Sequence, residues 1–315
     1  MQDNCTVAII GAGNMAREHI LAFADVPGVK IAGIHSKTRS RAEALAQEYG
    51  IAGVYDSISD LYEKTRADLV VVTVFETAMN PVSRASFEYP WTVLLEKPPG
   101  YNLSDAEEIL SAAKAASRKV LVGLNRRFLS STRAVLADLQ SRPSPRFIHV
   151  QDQQNLQVAA SIGHPDIVVK NWMYANSIHV IDYLRLFGRG MVTSVTPIFA
   201  WDAKSSAVVA AKIEFSSGDL GMYEGIWKGP GPWAVTVTTP EKRWEMRPLE
   251  QASFQLWGER KLQPVAVHKW DQNFKPGFRL QAENAVASAL GRPSQSPTLD
   301  EAIETMRLIN GIFQQ

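Results

Sequence analysis

Two hydrophobic rhythms divide the chain. From Thr6 to about Gly123, short β-branched apolar runs alternate with stretches whose apolar residues recur at helical spacing. The runs Thr6–Ile10, Lys30–Ile34, Asp68–Val74, Thr92–Leu95 and Val120–Gly123 read as strands. Met15–Ala24, Ser40–Tyr49, Ile58–Thr65 and Ser104–Ala116 read as helices, the last opening with Ser104 and Glu107 at capping-box spacing. Apolar strands separated by helices imply parallel βαβ units, because strands of that kind are covered on both faces. Residues 1–124 are therefore expected to form a doubly wound α/β domain.

After about Asn125 the rhythm changes. A helix over Ser131–Leu139 stops at Pro143 and Pro145, and six strand-like runs follow with Gly and Pro between them. They are Arg146–Asp152, Val192–Ala200, Ala207–Phe215, Gly221–Ile226, Ala234–Thr238 and Lys242–Arg247. Strands joined without intervening helices predict an open, mainly antiparallel sheet. Helices are expected near Ala175–Phe187, Phe278–Ala289 and Leu299–Phe313, so residues 125–315 read as an α+β domain. Its closing helices are free to pack back on the first domain. The runs 207–215 and 221–226 are apolar enough to need cover on part of both faces, which predicts a homo-oligomer, a dimer or tetramer.

Composition narrows the partner. The chain has 315 residues, enough for about two domains. Its 33 Lys and Arg nearly cancel its 32 Asp and Glu, which leaves no electrostatic footprint for nucleic acid or an anionic membrane. Apolar runs are too short for a membrane span, and the polar start Met1-Gln2-Asp3-Asn4 lacks the pattern of an export signal. Cys5 is the single cysteine, and with no clustered His no metal site is expected. A soluble cytoplasmic protein with a small-molecule partner fits these facts.

Three motifs carry chemistry. Gly11-Ala12-Gly13-Asn14-Met15-Ala16 is a G-x-G-x-x-A between an apolar strand and a helix. Gly11 suits the tight turn, Gly13 lets the backbone approach a pyrophosphate, and Ala16 allows close packing above a helix N-terminus. At the end of the second strand, where an acid would grip a ribose 2′-hydroxyl, stand Ser36 and then Lys37, Arg39 and Arg41. Donors and positive charge there favour a 2′-phosphate, hence NADP(H) over NAD(H). Asp56 lies beyond a complete helix and reads as a turn or cap residue. Thr73 at the end of the third strand run, and Glu96-Lys97 after the fourth, fall at strand ends that face the ligand crevice of such a sheet. The third motif is the helix around His179, on which Asn176, His179, Asp182 and Tyr183 share a face apart from the apolar stripe of Val180, Leu184 and Phe187.

In their order and spacing, the G-x-G-x-x-A start, Glu96-Lys97-Pro98 and the His179-x-x-Asp182 helix resemble the Gfo/Idh/MocA oxidoreductase family, the glucose–fructose oxidoreductase and inositol dehydrogenase group. The resemblance implies a Rossmann domain, an open sheet domain for substrate binding and oligomer contacts, and nicotinamide-dependent chemistry on sugars. It makes Lys97 the catalytic lysine and His179 its helix histidine. Many members have Asp four residues before that histidine, where this chain has Ala175. The expected reaction is hydride transfer between nicotinamide C4 and a ring carbon of a sugar or sugar nucleotide. Arg126, Arg127, Trp172, Tyr174, Asn176 and Trp227 are the further candidates for substrate contact, since Arg suits a phosphate and aromatic faces suit a pyranose or base. A biliverdin reductase-like reductase of another carbonyl or imine, and a cofactor-binding regulator without turnover, are the alternatives.

Overall fold

The computed structural model describes residues 4–314. They divide into two compact units, one built from residues up to Asn125 with Trp270–Ile303, the other from Arg126–Lys269 with the residues from Glu304 onward. The division is discontinuous because the chain returns to the first unit after its second sheet is complete.

In the first unit a six-stranded parallel sheet has the order β3-β2-β1-β4-β5-β6. Its strands are β1 (Cys5–Ile10), β2 (Val29–His35), β3 (Gly53–Tyr55), β4 (Leu69–Val72), β5 (Thr92–Leu95) and β6 (Val120–Val122). The helices between them are α1 (Asn14–Ala24), α2 (Arg39–Tyr49), α3 (Ile58–Thr65), α4 (Glu76–Ser86) and α5 (Leu103–Ala115). Every residue of β4 and β5 is buried, as parallel central strands require. The order reverses between β1 and β4, the switch point at which open α/β sheets bind ligands.

Two elements before residue 124 escaped the sequence pattern. β3 is only three residues long, and α4 carries Pro81 inside it, which hides its helical signal. One cap differs from expectation. Asn102, not Ser104, caps α5 by accepting from Asp105 N, so the helix starts a residue earlier.

The second unit opens with α6 (Ser130–Gln140), β7 (Phe147–Gln153), α7 (Leu156–Ser161), α8 (Asp166–Lys170) and α9 (Ile178–Phe187). Then follow β8 (Val192–Phe199), β9 (Val208–Phe215), β10 (Leu220–Ile226), β11 (Ala234–Thr238), β12 (Lys242–Met246), β13 (Ala252–Leu256) and β14 (Gln263–Pro264). The sheet order is β14-β13-β12-β11-β7-β10-β9-β8. All neighbours are antiparallel except β7 and β10, which run parallel. Ile178, Val180, Ile181, Leu184 and Phe187 of α9 are wholly buried and pack its core, each side chain contributing roughly 1.5–3 kcal/mol.

The chain closes with α10 (Lys269–Asn273), α11 (Phe278–Ala289) and α12 (Leu299–Phe313). In the first unit α11 packs Phe278, Ala282, Ala285 and Val286 into one core with Ile20 and Phe23 of α1. Arg279 ties the same two helices together by pairing with Asp25 at 2.6 Å. No helix among the described residues is long and apolar enough to cross a membrane. None of their His, Cys, Asp and Glu side chains are grouped to hold a metal ion.

Candidate functional site

The first unit supplies an anion cradle. β1 ends at Ile10 and the chain turns through Gly11, whose φ of +106° lies in the region that favours glycine. A Cβ there would stand 2.5 Å from the Thr73 carbonyl oxygen and 2.6 Å from its hydroxyl. Thr73 locks the turn from below, since its N–H and its hydroxyl both donate to the Ile10 carbonyl, at 2.7 and 3.1 Å.

Gly13 caps α1 with extended backbone and no side-chain bond, and the first turn carries no acid. A Cβ on Gly13 would meet nothing within 4 Å. The amide N–H groups of the first turn are thus open above bare backbone, which is what a pyrophosphate needs. Ala16 is fully buried against the sheet, Asn14 is exposed, and the Lys275 ammonium lies 3.6 Å from the Met15 sulfur.

Past β2, Ser36 is half-buried and its hydroxyl accepts from Thr38 N, while Lys37, Arg39 and Arg41 are exposed. Arg39 pairs with Glu43 at 2.8 Å and with Asp56. Asp56 is therefore more than a turn residue. β3 pairs parallel to β2 with His35 opposite Tyr55, which brings Asp56 level with Ser36. The sequence distance across α2 concealed that neighbourhood.

At the end of β5 the Glu96 carboxylate turns into the protein. It lies 2.7 Å from His19 Nε2 and accepts from Lys97 N at 3.1 Å. Both side chains of the His19–Glu96 pair are buried. Burial would raise the Glu96 carboxyl, but the His19 hydrogen bond and the charges of His19 and Lys97 outweigh it and hold it below its ordinary value. Lys97 is half-buried. His19 was not among the expected site residues, although with Ala16, Ile20 and Phe23 it completes an i, i+3, i+4, i+7 buried stripe of α1.

The second unit holds a polar cluster around the start of α9. A π-helical turn, Met173–Ser177, precedes α9 and carries Asn176 at half-buried depth, with His179 one turn further on. The His179 ring lies 6.3 Å from the Trp233 ring, and the Arg126 guanidinium lies 4.9 Å above that same Trp233. Arg126 also donates to Glu250 at 3.0 Å. Trp172 Nε1 and Asn176 Nδ2 both donate to Gln154 Oε1, at 2.9 and 2.8 Å. Gln154 Nε2 donates to Asp152 at 2.6 Å, and Tyr223 donates to the other oxygen at 2.9 Å.

Several expectations change here. The Arg127 guanidinium is held by Asp182 in two bonds of 2.6 and 2.8 Å, and Thr305 donates to the same carboxylate. Asp182 and Tyr183 are buried and leave the face that Asn176 and His179 share. Tyr174 is also interior, its hydroxyl 3.4 Å from Asn310, and burial pushes its phenol up to about 12. Trp227 is nearly buried against Trp201 and Phe313. Its ring forms part of the wall of a cavity of about 360 Å³ that Gln154, Trp201 and Lys228 also line.

Residues 5–124 match a family described as an oxidoreductase family with an NAD-binding Rossmann fold, GFO_IDH_MocA. The chain is 30% identical over 117 residues to 1,5-anhydro-D-fructose reductase of Ensifer adhaerens, which is 37% of this chain and 34% of that protein. It is 25% identical over 127 residues to glucose-6-phosphate 3-dehydrogenase of Bacillus subtilis, 39% of this chain and 35% of that protein. The chain thus spans about a third of the length of these curated relatives. A structure of levoglucosan dehydrogenase in complex with NADH and L-sorbose superposes with a TM-score of 0.82 at 15% identity, covering 99% of this chain and 96% of that one. That likeness is one of fold.

Proposed function

We propose that the chain, whose residues 5–124 match the Gfo/Idh/MocA oxidoreductase family, is a nicotinamide-dependent oxidoreductase of a pyranose sugar or sugar nucleotide. The observation that carries this reading is the uncapped N-terminus of α1 above Gly13, beside a β5 end that presents Lys97. The residues present fit the dinucleotide. First-turn N–H groups of α1 would hold the pyrophosphate, with Gly11, Asn14, Met15, Ala16 and Thr73 shaping the turn. When bound, the nicotinamide supplies a hydride donor or acceptor at C4.

The protein's part is orientation and proton transfer. Lys97 gives a proton to the substrate oxygen, or takes one from it, as C–O changes order. Glu96 acts as a positioning residue, because its carboxylate fixes the Lys97 backbone through the N–H it accepts. His179 holds the substrate hydroxyl, with Asn176, Trp172 and Arg126 around it. Two relatives are named for sugar substrates, and a structural neighbour was solved with NADH and a sugar, which supports the substrate class. Turnover of reduced nicotinamide, followed by its near-UV band against a panel of sugars and sugar nucleotides, tests the reading. Cofactor binding with no turnover on any member would instead favour a binding protein, the second reading that Ala175 supports.

The preferred cofactor is NADP(H). Ser36 leaves room where an acid would stand, and Lys37 and Arg41 are exposed cations beside it, whereas Arg39 already faces Glu43 and Asp56. Ser36→Asp reverses the preference, read as the ratio of the two dissociation constants. Equal constants in the unmodified protein contradict the assignment. The open sheet of the second unit is read as a homo-oligomeric surface in the cytoplasm, and a monomer by light scattering at micromolar concentration contradicts that.

A further inference from the structure

The inward face of β7 is apolar at Ile148 and Val150 and turns polar at its end. Arg146, Ile148, Val150, Asp152 and Gln154 are all buried, at alternating positions that share one side of the strand. Asp152 is fully buried, and both its oxygens accept, one from Tyr223 and one from Gln154. An amide can offer hydrogen only from its nitrogen. Gln154 must therefore turn its NH2 toward Asp152 and its carbonyl away.

A second constraint agrees with the first. Trp172 Nε1 is a donor only, and it bonds the far end of the Gln154 amide, so an oxygen has to stand there. With Gln154 Oε1 fixed in place, the group of Asn176 that meets it at 2.8 Å has to be the NH2. Among the described residues Asn176 Oδ1 accepts no hydrogen bond, and Asn176 is half-buried one helical turn before His179.

We propose that Asp152, acting through Gln154, is a positioning residue that fixes Asn176 as a hydrogen-bond acceptor for one ligand hydroxyl. A lone oriented acceptor recognises a group that carries a proton. It disfavours a carbonyl or carboxylate oxygen at the same place, since two acceptors would then face each other unpaired. The relay thus selects a neutral polyol or sugar hydroxyl at that position. The ligand's identity rests on the function proposed above, whereas the orientation of the two amides does not.

Two measurements separate these layers. In the ¹⁵N-labelled full chain, the side-chain amide protons of Gln154 and Asn176 should exchange at least about tenfold more slowly than those of the exposed Gln157. Exchange at the Gln157 rate overturns the relay, and no variant is needed to see it. In turnover, D-glucose is compared with its 2-, 3- and 4-deoxy analogues in the unmodified enzyme and in Gln154→Leu. One missing hydroxyl should cost roughly 10²-fold in kcat/KM in the unmodified enzyme. In Gln154→Leu that one penalty should shrink to within about threefold while the other ratios hold, as a lost directional contact requires. An equal loss across all the analogues marks a merely structural role and overturns the proposal. If the unmodified enzyme turns over none of these sugars, the glucose-type substrate reading fails, and the amide exchange still decides the relay.

Discussion

Glu96 in the first unit and Asp152 in the second are both buried carboxyl groups close to candidate site residues, and the two are driven in opposite directions. Glu96 in the first unit faces His19, and its carboxyl is held below the ordinary range despite burial. Asp152 in the second unit meets Gln154 and Tyr223, and burial pushes its carboxyl up against their hydrogen bonds. Depth does not distinguish them. What differs is the partner, since a cationic neighbour repays desolvation and neutral donors do so only in part. The Glu96 pair suits a place beside the lysine proposed for proton transfer, and the network of neutral donors around Asp152 suits a surface that reads hydroxyls.

The widest separation between the units should appear in turnover. Lys97→Met loses about 10²–10⁴-fold in kcat, the range of a positioned acid–base group, with cofactor dissociation constants within a few-fold of the unmodified protein. His179→Ala costs less and acts more on KM. If Lys97→Met turned over its substrate at a near-normal rate, the lysine would be only part of a proline turn.

Gly11→Val comes next. Its Cβ would enter the space of the Thr73 carbonyl at positive φ, so the strain is about 1–3 kcal/mol before the clash is counted. Cofactor affinity should fall by more than about tenfold and the melting temperature should drop. A variant that bound cofactor normally would remove the glycine turn from the site.

The smallest effects carry the comparison itself. A carboxyl with a lowered folded pKa stabilises the fold above its unfolded value, and that contribution disappears as the pH falls. Glu96→Gln should therefore cost about 1–3 kcal/mol near pH 6 and progressively less below pH 4.5. Asp152 has the opposite sign. Its raised folded value makes ionisation unfavourable, so the stability it contributes below pH 3.8 is lost as the pH rises. Asp152→Asn should thus gain on the unmodified protein with rising pH, as Glu96→Gln falls behind. Melting curves from pH 3 to 6 read both slopes, and parallel slopes would break the contrast.

Most of the architecture was legible because each sheet wrote its own period. Apolar β4, and β5 with only Thr92 polar, marked the parallel core, and alternation in β7, β9 and β10 marked the second sheet. Gly11, Gly13 and Ala16 could be read because their roles depend on local backbone. Asp56 and His19 could not, since each acts through a strand or helix pairing that spacing does not encode. The pairing of Arg127 with Asp182 was hidden for the same reason, as the two lie 55 positions apart. A signal for Asp152 and Gln154 was present all along, because they continue the inward positions of β7 where apolar residues belong. The π-helical turn before α9 altered which residues share a face, and an ideal helical period could not show it.

The proposed step passes hydride between the cofactor and a sugar ring carbon while Lys97 handles the proton. Reduced cofactor deuterated at C4 and a panel of keto-sugars test it most directly, with products analysed by mass spectrometry and NMR. The expected result is one deuterium on the carbon that becomes the new secondary alcohol, formed about 10²–10⁴-fold more slowly by Lys97→Met. Tight cofactor binding with no deuterium in any sugar product would contradict the claim.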